Sequence, residues 1–416
     1  MKSVAAAVSI VLVGLAGRPA AAAPDKDLAS VVDGSLGLAQ ALYQRLRGGT
    51  RNLVFSPVSI TAAMALAHGG ARGNTASQMA RVLGFRLPPA RLHPAHGRLL
   101  AALRAAEREG VTLSVANALW GQRGHPFLPA YLELAGKTYG GKLEQLDFVK
   151  QPQQARQAIN SWVSSRTRGK ITDIIPPGLF DEMTRLVLTN AVYFNGQWKA
   201  KFPRSATRPQ PFMLGGNRRV ETPLMNVTSS FRYRGTRTFQ VLELPYRGGG
   251  VSMVVLLPRR VGQLRAVEPY LHPARLRRLL RSMPRRQVEV YLPRFQISSG
   301  VALAQKLQAM GMTDAFANRA DFSGADGTRL LFLQAVLHKA WVEVNEKGTE
   351  AAAATAITLG ALEGESEPPR PIFRADRPFL FLIREARTGC VLFLGRLLEP
   401  DGPALAPRPS RPLRLD

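Results

Sequence analysis

The stretch Glu346-Lys347-Gly348-Thr349-Glu350-Ala351-Ala352-Ala353-Ala354-Thr355-Ala356-Ile357-Thr358-Leu359-Gly360-Ala361-Leu362 constrains this chain more than any other. Intrinsic propensity reads its alanine run as a helix capped by Thr349. Read with period two, one face holds Thr349, Ala351, Ala353, Thr355, Ile357 and Leu359, all small or apolar and none charged. The other holds Glu350, Ala352, Ala354, Ala356, Thr358 and Gly360. That pattern suits a half-buried strand whose small side chains fit a tight slot. No proline lies between Glu346 and Glu367 to block strand pairing. Glu363 to Pro371 is polar, charged and proline-rich, and reads as an exposed loop. The segment as a whole has two conformations open to it.

The rest of the chain mixes the two secondary-structure types. Helical spacing of apolar residues predicts helices over 25–47, from Pro57 to about His68, and near 75–83, 92–108, 127–139, 153–166, 261–281 and 301–310. Strands are predicted at 52–55, 111–120, 186–194, 239–246, 251–257, 287–292, 329–345, 379–383 and 390–397. With no regular βαβ rhythm and no internal repeat, the fold class is α+β.

Motifs of enzyme chemistry are missing. There is no Gly-x-Ser-x-Gly elbow, no His-Glu-x-x-His, and a single cysteine, so no thiol pair to hold zinc. Gly136 to Lys142 has phosphate-loop spacing, but Leu143 stands where Ser or Thr is needed and the run follows a helix. Among six histidines only His93 and His96 are close in sequence, with no carboxylate near them. Cys390, inside Cys390-Val391-Leu392-Phe393-Leu394, reads as a small buried hydrophobe.

Lys2, the apolar run Val4 to Leu15 and the small residues Ala20 to Ala23 read as an export signal over 1–23. That implies a secreted, extracellular protein, or a periplasmic one in a bacterium. Residues 24–400 form one domain and the Pro/Arg-rich 401–416 a disordered tail. No later segment reads as a membrane span. The formal charge of +27 favours polyanions, and Arg259, Arg260, Arg265, Arg275, Arg277, Arg278, Arg281, Arg285 and Arg286 cluster around one predicted helix. The same arginines also read as an ordinary solvated face.

Four ordered motifs then resemble the serpin family. They are the hinge Glu346 to Ala353; Asn52-Leu53-Val54-Phe55-Ser56-Pro57-Val58-Ser59-Ile60; Leu188-Thr189-Asn190-Ala191-Val192-Tyr193-Phe194-Asn195-Gly196-Gln197-Trp198; and Phe373 to Ile383, followed by Val391 to Arg396. The resemblance spans roughly Leu28 to Pro400. It implies a monomer of about nine helices and three β-sheets, with an exposed reactive loop over about 346–371 and no cofactor, metal or catalyst of its own. A target protease would cut the loop, and the cut loop would insert into the central sheet before the acyl-enzyme hydrolyses. The implied hinge is Glu346, Gly348, Thr349, Glu350, Ala351, Ala352, Ala353, Ala354 and Thr355. Hinge length puts the scissile bond at Leu362–Glu363, with the neighbouring bonds over 359–365 as alternatives. Leucine there favours a chymotrypsin- or elastase-like serine protease, a cysteine protease being the alternative. Ser56, Ser59, Asn190 and His338 resemble the polar cluster beneath the opening sheet, and Glu346, Arg294 and Trp198 the contacts at its top. A non-inhibitory carrier, chaperone or storage protein is the competing reading.

Overall fold

The structure, a computed structural model, describes residues 25–106, 110–140, 142–346 and 370–400. The export signal, the hinge from Gly348 to Thr355, the Leu362–Glu363 bond and the tail lie outside the described residues.

The first half of the chain is mainly helical: α1 (Lys26–Leu46), β1 (Leu53–Phe55), α2 (Pro57–Gly70), α3 (Gly73–Leu83), α4 (Pro89–Ala105), β2 (Val111–Gln122), α5 (Pro129–Tyr139), β3 (Lys142–Leu146) and α6 (Pro152–Arg166). Strands dominate the second half: β4 (Leu186–Gly196), β5 (Arg208–Gly215), β6 (Arg218–Gly235), β7 (Phe239–Pro245), β8 (Val251–Pro258), α7 (Pro273–Arg281), β9 (Arg285–Pro293) and β10 (Phe295–Ala302). The last elements are α8 (Ala304–Gln308), α9 (Ser323–Asp326), β11 (Ala335–Val344), β12 (Ile372–Arg374), β13 (Phe379–Glu385) and β14 (Val391–Leu397).

Local chemistry explains the helix starts. The Asp25 carboxylate accepts from the Asp27 and Leu28 amides at 3.1 and 3.0 Å, capping α1. Ser56 caps α2, and Pro57 occupies its first turn, where no amide donor is needed. Every residue of α2 except Gly69 is buried, as befits a helix that is apolar all round and sits inside the fold.

Five strands form one sheet in the order β10-β11-β4-β2-β3. The expected second and third sheets are joined into one nine-stranded sheet, β1-β14-β13-β8-β7-β6-β9-β12, with β5 on β6. The eighteen-residue β6 joins them: its first part pairs with β5, its middle with β9, and Arg232 to Gly235 with β7. One face of the five-stranded sheet (Leu188, Val192, Val336, Ala340) packs toward α2 and the large sheet. Its other face (Ala191, Tyr193, Leu337, Trp341) is covered by Ile159 and Val163 of α6.

Some boundaries differ from the sequence reading. The helix predicted over 261–281 is two short 3-10 turns followed by α7, because Pro269 and Pro273 cannot donate to a continuous ladder. The 301–310 helix shrinks to α8, and the 329–345 strand begins at Ala335. The β5–β6 hairpin was not foreseen: its residues are largely polar, and it turns at Gly215, Gly216 and Asn217, all with positive φ. The phosphate-loop spacing falls on the end of α5 and the start of β3, the reverse of a strand-to-helix loop. Cys390 is buried in the core, and burial pushes its thiol pKa up, away from reactivity.

Candidate functional site

At the centre of the five-stranded sheet, β4 and β11 run parallel and pair directly, Ala335 to Val342 against Val187 to Phe194. Their outer neighbours β2 and β10 are antiparallel to them. This puts Asn190 beside His338 on one side and Asn117 of β2 on the other, all in one row across the sheet.

Ser56, at the start of α2, meets that row. Its backbone amide donates to His338 Nε2 at 3.0 Å. That acceptor fixes the tautomer: the proton sits on Nδ1, which donates to Asn190 Oδ1. The Asn190 amide in turn donates to Ser59 Oγ and Asn117 Oδ1, and Ser59 Oγ donates to Asn117 Oδ1 at 3.1 Å. Ser56, Ser59, Asn190 and His338 are all buried. Burial pushes His338 down to about 3, so the ring stays neutral and the chain of donors keeps its direction. The four residues singled out in the sequence therefore meet in one network. Asn117 is a fifth member that the sequence reading missed, since a lone Asn in the strand run Val111 to Trp120 carries no signal by itself.

The second set lies where β11 ends. Arg294, just after β9, donates through Nε to Glu346 Oε1 at 2.7 Å and through its terminal nitrogen to the same oxygen. Thr207, also unforeseen, donates to that oxygen at 2.5 Å. Trp198 Nε1 donates to the Asn345 carbonyl at 3.0 Å and stacks on Tyr246 with ring centroids 4.4 Å apart. The chain is thus pinned at residues 345 and 346 before entering 347–369. It returns at β12, which pairs with β9 at Ile372↔Glu289, so both ends of that stretch are anchored to β9 or its flank.

Burial pushes the Glu346 carboxyl up, but the hydrogen bonds from Arg294 and Thr207 outweigh it and leave the pKa lowered. A depressed carboxylate contributes stability above its unfolded pKa of about 4.3 and loses it as pH falls through the folded value. Glu346→Gln is therefore expected to cost about 1–2 kcal/mol at pH 7. The gap to wild type should narrow as pH drops below the ordinary carboxylate range. Denaturant titrations at pH 7 and at acid pH check this; a gap that does not change with pH would show that the charge of Glu346 contributes nothing.

Among the described residues, no helix is long and apolar enough to cross a membrane, and no group of three or more His, Cys, Asp or Glu is placed to hold a metal ion.

Comparison with known proteins agrees with this architecture. The family model described as Serpin (serine protease inhibitor) matches residues 34–400. An uncharacterized serpin-like protein of Thermococcus kodakarensis is 40% identical over 362 residues, covering 87% of this chain and 84% of its own length. The leukocyte elastase inhibitor of Homo sapiens is 39% identical over 360 residues, covering 84% and 93%. Among solved structures, uncleaved ovalbumin superposes with a TM-score of 0.82 at 31% identity, over 89% of this chain and all of its own. Human thyroxine-binding globulin complexed with thyroine gives 0.80 at 29% identity, over 90% of this chain and 99% of its own. The chain belongs to the serpin (serine protease inhibitor) family.

Proposed function

We propose that this serpin is a secreted, monomeric suicide substrate of serine proteases, with a chymotrypsin- or elastase-like enzyme as its target and Leu362–Glu363 as its bait bond. The protease serine oxygen attacks the Leu362 carbonyl and the bond to the Glu363 nitrogen breaks, leaving Glu363 as a new amino terminus, while β12, β13 and β14 of the cut-off piece stay paired in the large sheet. An ester joins Leu362 to the protease. Residues 347–362 then enter between β4 and β11 before water reaches that ester. The serpin itself supplies no catalyst.

The observation that carries the reading is the direct parallel pairing of β4 and β11. Parallel pairs are slightly weaker per residue than antiparallel ones. A strand folding back from the end of β11 would run antiparallel to both neighbours and convert one parallel ladder into two antiparallel ones. The small side chains of Thr349, Ala351, Ala353 and Thr355 suit that slot, and the buried Ser56–His338–Asn190 network spans the junction that has to part. Away from the sheet junction, the exposed arginines of α7 (Arg275, Arg278, Arg281) and of the start of β9 (Arg285, Arg286) form the face a polyanion would meet.

Incubation with chymotrypsin, elastase, trypsin and subtilisin tests the reading. A complex that survives a denaturing gel, with release of a peptide beginning at Glu363, is the expected result. Complete cleavage by every protease without such a complex would support the second reading, a carrier, chaperone or storage serpin, toward which the likeness to thyroxine-binding globulin points.

A further inference from the structure

At the opposite end of α2 from Ser56, three imidazoles gather in the core. His68 lies in the last turn of α2, and His93 and His96 lie one turn apart on α4. All three are buried. Their rings interleave with Phe85 and with Tyr139 of α5: His68 is 5.4 Å from Phe85 and 6.3 Å from His93, and His96 is 5.6 Å from Phe85 and 6.0 Å from Tyr139. His93 Nδ1 and the Tyr139 hydroxyl share a hydrogen bond of 2.6 Å. His68 Nδ1 and both ring nitrogens of His96 have no hydrogen-bond partner among the described residues. Buried polar atoms left without a partner weaken the packing they belong to.

A Cβ on Gly69 would fall 2.4 Å from Leu134 Cδ2 and 3.4 Å from His93 Cε1, so the end of α2 lies hard against α5 and α4. Among the described residues, no carboxylate faces the rings. The charged neighbour of His68 is Arg72, beyond the end of α2, and it disfavours a second positive charge. From α5 come Tyr139 and, beside it, Tyr131, both kept protonated by burial. Asp25 and Asp27 pair with Arg98 and Arg91 on the exposed side of α4, and Glu133 pairs with Lys137 on the exposed side of α5.

We propose that His68, His93 and His96 form an acid-operated latch that fastens α4 and α5 onto α2 when neutral and releases them when protonated. Burial first, then the mutual repulsion of the rings, holds His93 down to about 4 and His96 down to about 3, and burial lowers His68 as well. An imidazole freed by opening titrates near 6.5. The open form therefore takes up protons first as pH falls below about 6.5, and closure is lost progressively from there down to the closed-state values. For a ring with a closed-state value of about 4, the open-to-closed ratio rises roughly thirty-fold between pH 8 and pH 5. The latch stands whether or not the chain inhibits proteases, but α2 carries Ser56 and Ser59 at its other end, so its release would reach the sheet junction.

Hydrogen exchange of the full chain at pH 7.5 and pH 5, corrected for intrinsic rates, reads the latch directly. Peptides from α4 (89–105) and α5 (129–139) are compared with the core strand β13 (379–385) as reference. In the wild type, exchange in α4 and α5 should rise by more than tenfold at pH 5 while staying faster than in β13, so that the opening is local. In His93→Phe and His96→Phe, that acid-dependent rise should fall by roughly an order of magnitude. Equal acid opening in both variants, or none in the wild type, would overturn the proposal. Imidazole titrations of the wild type by NMR keep the test independent of how the variants fold: closed-state values below 5 for His93 and His96 support the latch, and a value of 5 or above for either sinks it.

Discussion

Cleavage after Leu362 is expected to raise the thermal midpoint of this protein by on the order of 10 °C. The reasoning starts from β4 and β11, which share eight register pairs in parallel. A strand entering between them breaks that one ladder and makes two, and the net gain of one ladder, at about 1 kcal/mol per hydrogen bond, adds up to roughly 10 kcal/mol over its length. Before cleavage, 347–369 is tied at Glu346 by Arg294 and at Ile372 by the pairing of β12 with β9. The intact chain cannot let a full-length strand enter without breaking the second tie, so the gain is held behind a kinetic barrier. Scanning calorimetry on the intact and the nicked protein measures it; an unchanged midpoint means that the loop does not insert and the inhibitory reading falls. Thr349→Arg refines the test. On the period-two reading Thr349 enters the face toward α2, where a guanidinium would be buried without a partner. The variant should be cut as readily as wild type yet consume several inhibitor molecules per protease trapped. Unchanged stoichiometry would mean that the face assignment is wrong.

What could be read in advance divides along physical lines. Long periodic elements were legible: α1, α6, β2 and β8 begin and end within two residues of the sequence reading, because their burial repeats at 3.6 residues or fills a whole strand. The β5–β6 hairpin was not, since edge and surface strands carry polar residues and lack the apolar signal on which the reading depends. Ser56, Ser59, Asn190 and His338 are scattered over the chain, and only resemblance to a family joined them. Their meeting depends on the β4–β11 register and on the angle at which α2 enters, neither of which is written locally. Asn117 and Thr207 belong to the same two networks and escaped notice because they lie outside the recognised motifs. The histidines went the other way. His93 and His96 were visible at helical spacing, but their burial with His68 against Tyr139 is a product of the tertiary fold.

His338→Leu is expected to be the most destabilising single substitution in the sheet junction, by about 3–5 kcal/mol. The leucine has nearly the bulk to fill the site, so the loss is electrostatic and hydrogen-bonded rather than a cavity effect. Two buried groups are orphaned together: the Ser56 amide loses its acceptor, and Asn190 Oδ1 loses its donor. Ser56, Asn190 and His338 are all buried, where an unpaired polar group is costly. Asn117→Ala provides the comparison. It removes the acceptor shared by Asn190 Nδ2 and Ser59 Oγ, but Asn190 Nδ2 keeps Ser59 Oγ and the site of Asn117 is only part-buried, so its cost should be about 1–2 kcal/mol. Because the same contacts bridge β4, β11 and α2, the order of stability should also be the order in which inhibitory activity survives incubation at 37 °C. Wild type should outlast Asn117→Ala, and Asn117→Ala should outlast His338→Leu, as the loop enters the loosened sheet without being cut. Denaturant titration fixes the stability order, and timed protease assays on incubated samples fix the kinetic one. If Asn117→Ala proved the more damaging in both, the junction would be organised around Asn117 and β2, and the Ser56–His338 contact would be incidental to it.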